Sequence, residues 1–300
     1  MSIDHDQIFK QLIEAFFREF TELFFPAEAR LINFAKVEFV RDELFTDVKR
    51  GRHKRLDLVV KVGLKKGGEK FILVHVEFEA SRKQSDFPKR MFQYFCQLFL
   101  RHDTEIIPVA VFTDDAVWRK PVSNRYQLQL RSRKIVDFEY ELIKLKNLNY
   151  RRYLKSSNPL AYALVAKMGY NRKERARLKA DFLRLILGAK IDPARRSLLV
   201  DFIETYMTLT QEETKEFNSV VASERKYKRV EEMITTYEQE GIKKGRTKGK
   251  QEDLILLLEK RFGKLKPATK RKIGQIDSSK ELESLLLSAV DAKSLDDLDW

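Results

Sequence analysis

The sequence has one cysteine, Cys96, in 300 residues. A single thiol closes no disulfide within the chain and builds no multi-cysteine zinc site. Glycine (11) and proline (7) are scarce, which excludes collagen-like and low-complexity chains. Long apolar runs are missing as well. The runs are short, five residues at 254–258 and seven at 160–166, whereas a membrane helix needs about 20. The opening MSIDHDQ carries two aspartates where a secretory leader would be basic, and no apolar stretch follows. These absences lead to the expectation of a soluble, cytoplasmic protein with no membrane partner. Glycine-rich loops of the Walker or dinucleotide type do not occur, nor does a Gly-x-Ser-x-Gly elbow. His5, His53 and His102 share no metal-ligand spacing, and no zinc-finger, RNA-recognition or homeodomain signature is present.

What the chain does have is core-forming residues and charge. Hydrophobic residues make up 43 %, and 21 phenylalanines are among them. That is enough to bury a sizeable core. Lys and Arg number 59 against 45 Asp and Glu, a net +14, which favours polyanionic partners. Residues 5–25 place Ile8, Phe9, Leu12, Ile13, Phe16, Phe20, Leu23 and Phe24 at spacings of three and four, so a helix is expected, ended by Pro26. Strand patterns follow at 37–44, 56–62, 71–78 and 106–112, with Lys65-Lys66-Gly67-Gly68 as a hairpin turn. A helix is expected at 83–101 and a further strand at 134–145. The fold class read from this order is α/β with a mixed sheet. Helical patterns take over beyond 148, at 160–168, 174–187, 194–207, 226–240, 252–262 and 280–290. The segment 241–250 holds three glycines and five basic residues, which suits a flexible basic linker or a loosely formed helix. Three stretches result: an α/β core at 1–147, a helical extension at 148–240, and a basic linker with a small helical domain at 241–300.

Acidic residues inside apolar strands point to chemistry. Asp57 interrupts a β-branched run, and Glu77 and Glu79 end another. Side chains alternate along a strand, so His75, Glu77 and Glu79 share one face, and a hairpin would bring Asp57 to it. Burying an unpaired carboxylate is costly, and close carboxylates repel. A bound divalent cation removes both penalties. Mg2+ in particular is held by one or two carboxylates plus water and phosphate oxygens, which fits hydrolysis of a phosphodiester. His75 reads as a packed, hydrogen-bonded residue, and Cys96 as a small core residue.

Several stretches together resemble a known family. They are 6–12, 20–26, 55–61 with Asp57, 73–77 ending at Glu77, 89–94, 108–114 and 157–161. In this order they are similar to the Rpn/YhgA-like recombination-promoting nucleases, also labelled putative transposases, within the PD-(D/E)XK superfamily. The block 254–263, with Arg261-Phe262-Gly263, resembles a small C-terminal domain found in cyanobacterial members. The resemblance implies that 1–147 is a PD-(D/E)XK (restriction-endonuclease-like) core followed by an all-α region. It implies a Mg2+-dependent (or Mn2+- or Ca2+-dependent) DNA endonuclease linked to recombination. Asp57 and Glu77 would be the metal acids, with the Phe78 carbonyl as a third ligand. The position two beyond Glu77 is usually Lys or Gln in that family and is Glu79 here. Three explanations compete: Glu79 is a further ligand, a lysine such as Lys10, Lys61 or Lys83 substitutes, or the site has lost activity. Glu43 and Lys10 are supporting candidates on the same resemblance.

Basic residues supply the expected nucleic-acid contacts. Residues 241–275 hold twelve Lys or Arg against three Asp or Glu, including Lys243, Lys244, Arg246, Lys248 and Lys250. Lys49, Arg50, Arg52 and Lys54 lie just before Asp57. Such stretches follow a phosphate backbone without reading bases. The leading expectation is a DNA endonuclease of low sequence specificity. The alternative is a decayed nuclease fold that binds DNA or protein without catalysis. A third expectation is a structural partner protein that oligomerises through the helices at 226–262, as a homodimer, which is compatible with the first.

Overall fold

The structure is a computed structural model that describes residues 5–40, 44–47, 52–66, 71–79, 86–292, 294, 295 and 298. At 6, 44–47, 52–55, 71, 72, 237–246, 290 and 291 the description is of the backbone. The chain forms two compact units, Met1–Tyr227 and Lys228–Trp300. Among the described residues no helix is long and apolar enough to cross a membrane.

The first unit opens with α1 (His5–Ala15), α2 (Phe17–Phe24) and α3 (Pro26–Leu31), which lead into β1 (Ile32–Val40). A short hairpin of β2 (Leu44–Asp47) and β3 (Arg52–Arg55) precedes β4 (Leu58–Leu64) and β5 (Phe71–Glu79). Helix α4 (Phe87–His102) then connects to β6 (Ile106–Phe112). A second hairpin, β7 (Arg125–Leu130) with β8 (Arg133–Glu139), is followed by β9 (Glu141–Lys144). Helices α5 (Pro159–Leu164), α6 (Arg175–Gly188), α7 (Pro193–Tyr206) and α8 (Gln211–Ser223) complete the unit.

The central sheet has five strands in the order β1-β4-β5-β6-β9. The β1–β4 and β4–β5 pairs are antiparallel; β5–β6 and β6–β9 are parallel. The class is therefore α/β with a mixed sheet, as the order of patterns suggested. Because β5 is central, both of its faces are covered. Phe78 meets Phe9 of α1 at 5.7 Å between ring centroids, so α1 covers the face that carries Val74 and Val76. Tyr94 of α4 stands edge-on to His75 at 5.7 Å, so α4 covers the face of Leu73, His75, Glu77 and Glu79. Phe9, Phe16 and Phe20 are fully buried, each worth roughly 1.5–3 kcal/mol of burial.

Several sequence expectations shift. The helix expected at 5–25 breaks at Phe16, whose backbone leaves helical geometry (φ −125°, ψ 33°). Phe16 is buried with the Arg195 guanidinium 4.1 Å from its ring, so packing outweighs helical continuity there. The strand expected at 37–44 starts at Ile32 and ends at Val40. Gly63 faces its irregular stretch, where a Cβ would stand 2.9 Å from Lys36 Cβ. The intervening β2–β3 hairpin carries Arg52-His53-Lys54-Arg55, which has no apolar alternation to announce a strand. The single strand expected at 134–145 is two strands parted at Tyr140: β8 pairs with β7, and β9 joins the central sheet. Cys96 is half-buried, not a core residue.

The helices beyond 148 join the first unit as far as Tyr227, whereas composition placed breaks at 147/148 and 240/241. Their packing explains this. Phe202 meets Phe9 at 5.0 Å, Asn158 donates to the Glu19 carbonyl at 2.7 Å, and Arg195 bonds Glu19 at 2.5 Å.

The second unit is α9 (Lys228–Phe262), α10 (Pro267–Gly274) and α11 (Ser279–Asp291). Leu254, Leu258, Leu265, Ile273, Leu282 and Leu285 form its core. Gly263 ends α9 with φ +81°, a conformation that favours glycine. The Ser278 hydroxyl caps α11 by accepting from the Glu281 N–H. Residues 241–250 lie inside the 35-residue α9, so the helical alternative is the one observed and the segment is no linker.

Candidate functional site

Asp57 stands in the bend just before β4, one residue ahead of the strand expected to contain it. The β4–β5 register pairs Leu58 with Val76, which sets Asp57 across from Glu77. The two acids are tied together through backbone groups. The Asp57 N–H donates to Glu77 Oε1 at 3.2 Å, and the Phe78 N–H donates to Asp57 Oδ2 at 2.8 Å. Glu77 Oε1 also lies 2.9 Å from Nε2 of His75. Glu77 is 5 % exposed and His75 0 %. A buried carboxylate needs such bonds to offset its lost hydration. The N–H and C=O of one residue point to the same side of an extended strand, so the Phe78 carbonyl also faces Asp57. His75 is packed and hydrogen-bonded, and its Nδ1 is buried without a partner.

Glu79 lies on the same face of β5 but is engaged elsewhere. Arg90, in the first turn of α4, donates from Nη2 to Glu79 Oε2 at 2.6 Å. The guanidinium sits 4.7 Å from the centroid of the Phe87 ring. Burial opposes its charge, but the Glu79 carboxylate, with Tyr94 and Glu77 behind it, outweighs that and holds Arg90 above the ordinary arginine value. Arg90 was not among the residues singled out from the sequence. Its only signal was the Lys89–Tyr94 stretch, because contact with Glu79 depends on how α4 lies over β5.

The other sequence candidates are placed as follows. Glu43, Lys49, Arg50 and Lys83 lie outside the described residues. Arg52 and Lys54 fall on β3. Lys10 is half-buried on α1, over the opposite face of β5 from Glu77. Lys61 lies four residues along β4 from Asp57, roughly 13 Å at ~3.3 Å per residue. Lys243, Lys244 and Arg246 fall on α9. Lys248 is exposed, 3.9 Å from Glu252. Lys250 is occupied within the second unit, donating to the Ser279 carbonyl (3.1 Å) and to Glu283 (2.7 Å).

A second charged cluster closes the same end of the sheet, where Glu79 pairs with Phe112 and Phe112 with Lys144. Lys144 Nζ lies 2.6 Å from Asp114 Oδ2, with side chains 4 % and 9 % exposed. Lys167 bonds Asp115 at 2.7 Å. Burial pushes the Lys144 amine below its ordinary value. A cavity of about 520 Å³ lies apart from both clusters, among α2, α5, α6 and α7, with Tyr162, Arg184 and Arg195 on its wall. Its wall holds none of the candidate site residues, although Ser157 and Pro159 belong to the 157–161 stretch.

No family model, curated protein or solved structure matches the chain.

Proposed function

We propose that the chain is a Mg2+-dependent nuclease of the PD-(D/E)XK type, acting on DNA with little sequence preference. The observation that carries the reading is the pairing of Asp57 with Glu77 at the end of the β4–β5 hairpin, with the Phe78 N–H on Asp57. The element order supports it: an N-terminal helix, three antiparallel strands of the central sheet, a crossover helix and a parallel strand.

The donor set suits one class of ion. Among the described residues no group of three or more His, Cys, Asp or Glu side chains is placed to hold a metal. That argues against a zinc-type cage. Two carboxylates and a carbonyl are the sparse, all-oxygen set that Mg2+ uses while keeping waters and phosphate oxygens. Asp57, Glu77 and the Phe78 carbonyl would hold the ion. When bound, it would polarise the phosphate and acidify a water. In the reaction a water oxygen bonds to phosphorus and the bond to the leaving sugar oxygen breaks. The water's proton passes to solvent and the leaving oxygen takes one up. The chain's own part is positional. Backbone N–H groups fix both carboxylates, and β5 and α4 hold them in a buried, low-dielectric setting.

The test is nicking of supercoiled plasmid with Mg2+ or Mn2+, alongside calorimetric titration of each ion. Wild type should bind and cut, and Asp57→Ala and Glu77→Ala should do neither. One observation favours a second reading, a decayed nuclease fold that binds DNA without cutting it: Glu79 stands where the family carries Lys or Gln. Salt-sensitive DNA binding by wild type, with no ion binding and no cutting, would decide for it.

A further inference from the structure

We propose that the cavity among α2, α5, α6 and α7 binds a small organic phosphomonoester, with Arg184, Lys190 and Arg195 holding its phosphate. The site lies within the first unit and does not rest on the nuclease reading.

The argument begins with charge. Arg184 comes from α6, Lys190 from the loop that follows it, and Arg195 from the first turn of α7. All three stand on the cavity wall, and Glu19 is the one acid there. Three cations against one carboxylate leave the wall positive by two. Asp181 lies behind Arg184 at 4.0 Å, but it also accepts from the Tyr227 hydroxyl at 2.8 Å and stands 3.8 Å from Lys226. Assigning Asp181 wholly to Arg184 still leaves the wall positive by one. Asp192 is taken up in capping α7, where it accepts from the Arg195 N–H at 2.9 Å. Lys190 is exposed and, among the described residues, has no ion-pair partner. A phosphomonoester carries a charge of about −1.5 to −2 at neutral pH, which complements such a wall.

The wall is ordered before a ligand arrives. Arg195 is clamped between Glu19, at 2.5 Å, and the Phe16 ring, 4.1 Å away. Arg196 donates to the carbonyls of Ala189 (3.2 Å) and Ile191 (3.1 Å), which fixes the loop that carries Lys190. Asn158 donates to the Glu19 carbonyl at 2.7 Å and so ties the start of α5 to α2. A cleft held this way loses little conformational freedom on binding. A guanidinium has five N–H donors, and the bond to Glu19 takes one from Arg195. Donors remain for phosphate oxygens in the fork arrangement arginine favours.

Size and lining point to an organic ester and not to bare phosphate. The volume of about 520 Å³ falls within the roughly 300–1,000 Å³ of small-molecule sites. Pro159, Tyr162, Leu185 and Ile191 give the wall an apolar side for the organic part to cover. The Tyr162 hydroxyl already donates to the Ser156 carbonyl.

The bland reading is a cleft whose cations are merely solvated. The experiment is calorimetric titration of the full chain in metal-free buffer, so that no ion bridges a phosphate to Asp57 and Glu77. The probes are AMP, UMP, glucose 6-phosphate, glycerol 3-phosphate and inorganic phosphate. At least one ester should bind with a dissociation constant below about 1 mM, and about tenfold or more tighter than inorganic phosphate. Lys190→Glu and Arg184→Gln should each weaken that ester by about tenfold or more. Asp57→Ala should leave its binding unchanged. Thermal unfolding checks that the variants fold. Should Arg184→Gln fail to fold, Lys190→Glu decides, because that side chain is exposed and supports no other group. Three results overturn the proposal: no ester binding below about 1 mM, ester binding that a folded Lys190→Glu leaves unchanged, or inorganic phosphate binding as tightly as every ester. Ester binding that Asp57→Ala abolishes also overturns it, since the ligand then sits at the β5 acids. Plasmid nicking enters none of these readouts, so the nuclease reading stands or falls separately.

Discussion

At the end of the central sheet where β5, β6 and β9 finish, Lys144 and Asp114 lie 2.6 Å apart, with Lys167 and Asp115 paired at 2.7 Å nearby. On the β5 side of the same end, Asp57 and Glu77 are held by backbone N–H groups and His75, and Glu79 by the Arg90 guanidinium. In the first group each acid meets an ammonium directly. A carboxylate bonded to a buried ammonium is neutralised where it stands and holds parts of a fold together. A carboxylate held by neutral N–H donors keeps its charge, and on the nuclease reading it is the one that takes the ion. This difference in the kind of partner is what the proposed function uses to separate a site from a structural pair.

Removing an acid should therefore do opposite things in the two places. Asp57→Ala should abolish cleavage, a loss of at least about 10³-fold, equivalent to roughly 4 kcal/mol of transition-state stabilisation. The same change should cost the ion-free protein about 1 kcal/mol of stability, for the lost Phe78 hydrogen bond, offset by relief of repulsion from Glu77. Asp114→Ala should leave cleavage unchanged but strand a buried ammonium, lowering stability by about 3–5 kcal/mol in urea unfolding. Because burial already pushes Lys144 down, the folded protein sheds that proton before the unfolded chain does. The unfolded chain then binds more protons, so stability rises with pH from the folded value of Lys144 up to its ordinary value near ~10.4. The Asp114→Ala deficit should accordingly shrink as pH approaches 10. A deficit that stays constant from pH 7 to 10 would break the comparison.

Much of this contrast could be read in advance on one side only. Asp57, Glu77 and Glu79 stand out because an acid inside a β-branched run breaks a local pattern, and β6 runs 106–112 as its apolar pattern indicated. The break at Phe16 could not be read, because the apolar spacing runs straight through it and no Pro or Gly marks it. The β2–β3 hairpin is invisible for the reverse reason: its second strand is all cationic or imidazole and carries no alternation. The helix through 241–250 was masked by three glycines, each costing a helix about 1 kcal/mol relative to Ala. Arg90 and the Lys144–Asp114 pair depend on tertiary contacts, between residues 11 apart across a helix–strand packing and 30 apart across β6 and β9. Nothing local distinguishes those side chains from the rest of the 59 basic and 45 acidic residues.

Two smaller effects sharpen the comparison. Mg2+ should stabilise wild type by about 2.7 kcal/mol at a hundred times its dissociation constant, by mass action on the folded state. It should add nothing to Asp57→Ala and the full amount to Asp114→Asn, as read by the shift in thermal midpoint. The smallest effect is expected at Asp115. Burial raises its pKa, but bonding to Lys167 and the charges of Lys146 and Lys144 outweigh that and hold it below the usual carboxylate range. A depressed carboxylate contributes stability that is complete above its ordinary value near ~3.9 and is lost as pH falls through the folded value. The Asp115 side chain is 77 % exposed, so solvent screens most of this. Asp115→Asn should therefore cost less than about 1 kcal/mol at pH 7, and the difference from wild type should vanish at acid pH. The gap between this and Asp114→Ala, one residue away in sequence, tests whether burial, and not pairing alone, sets the cost of removing an acid. Equal losses at the two positions would mean that the Lys144 ammonium reaches water once its partner is gone, and that this pair is less closed than the 4 % exposure of Lys144 indicates.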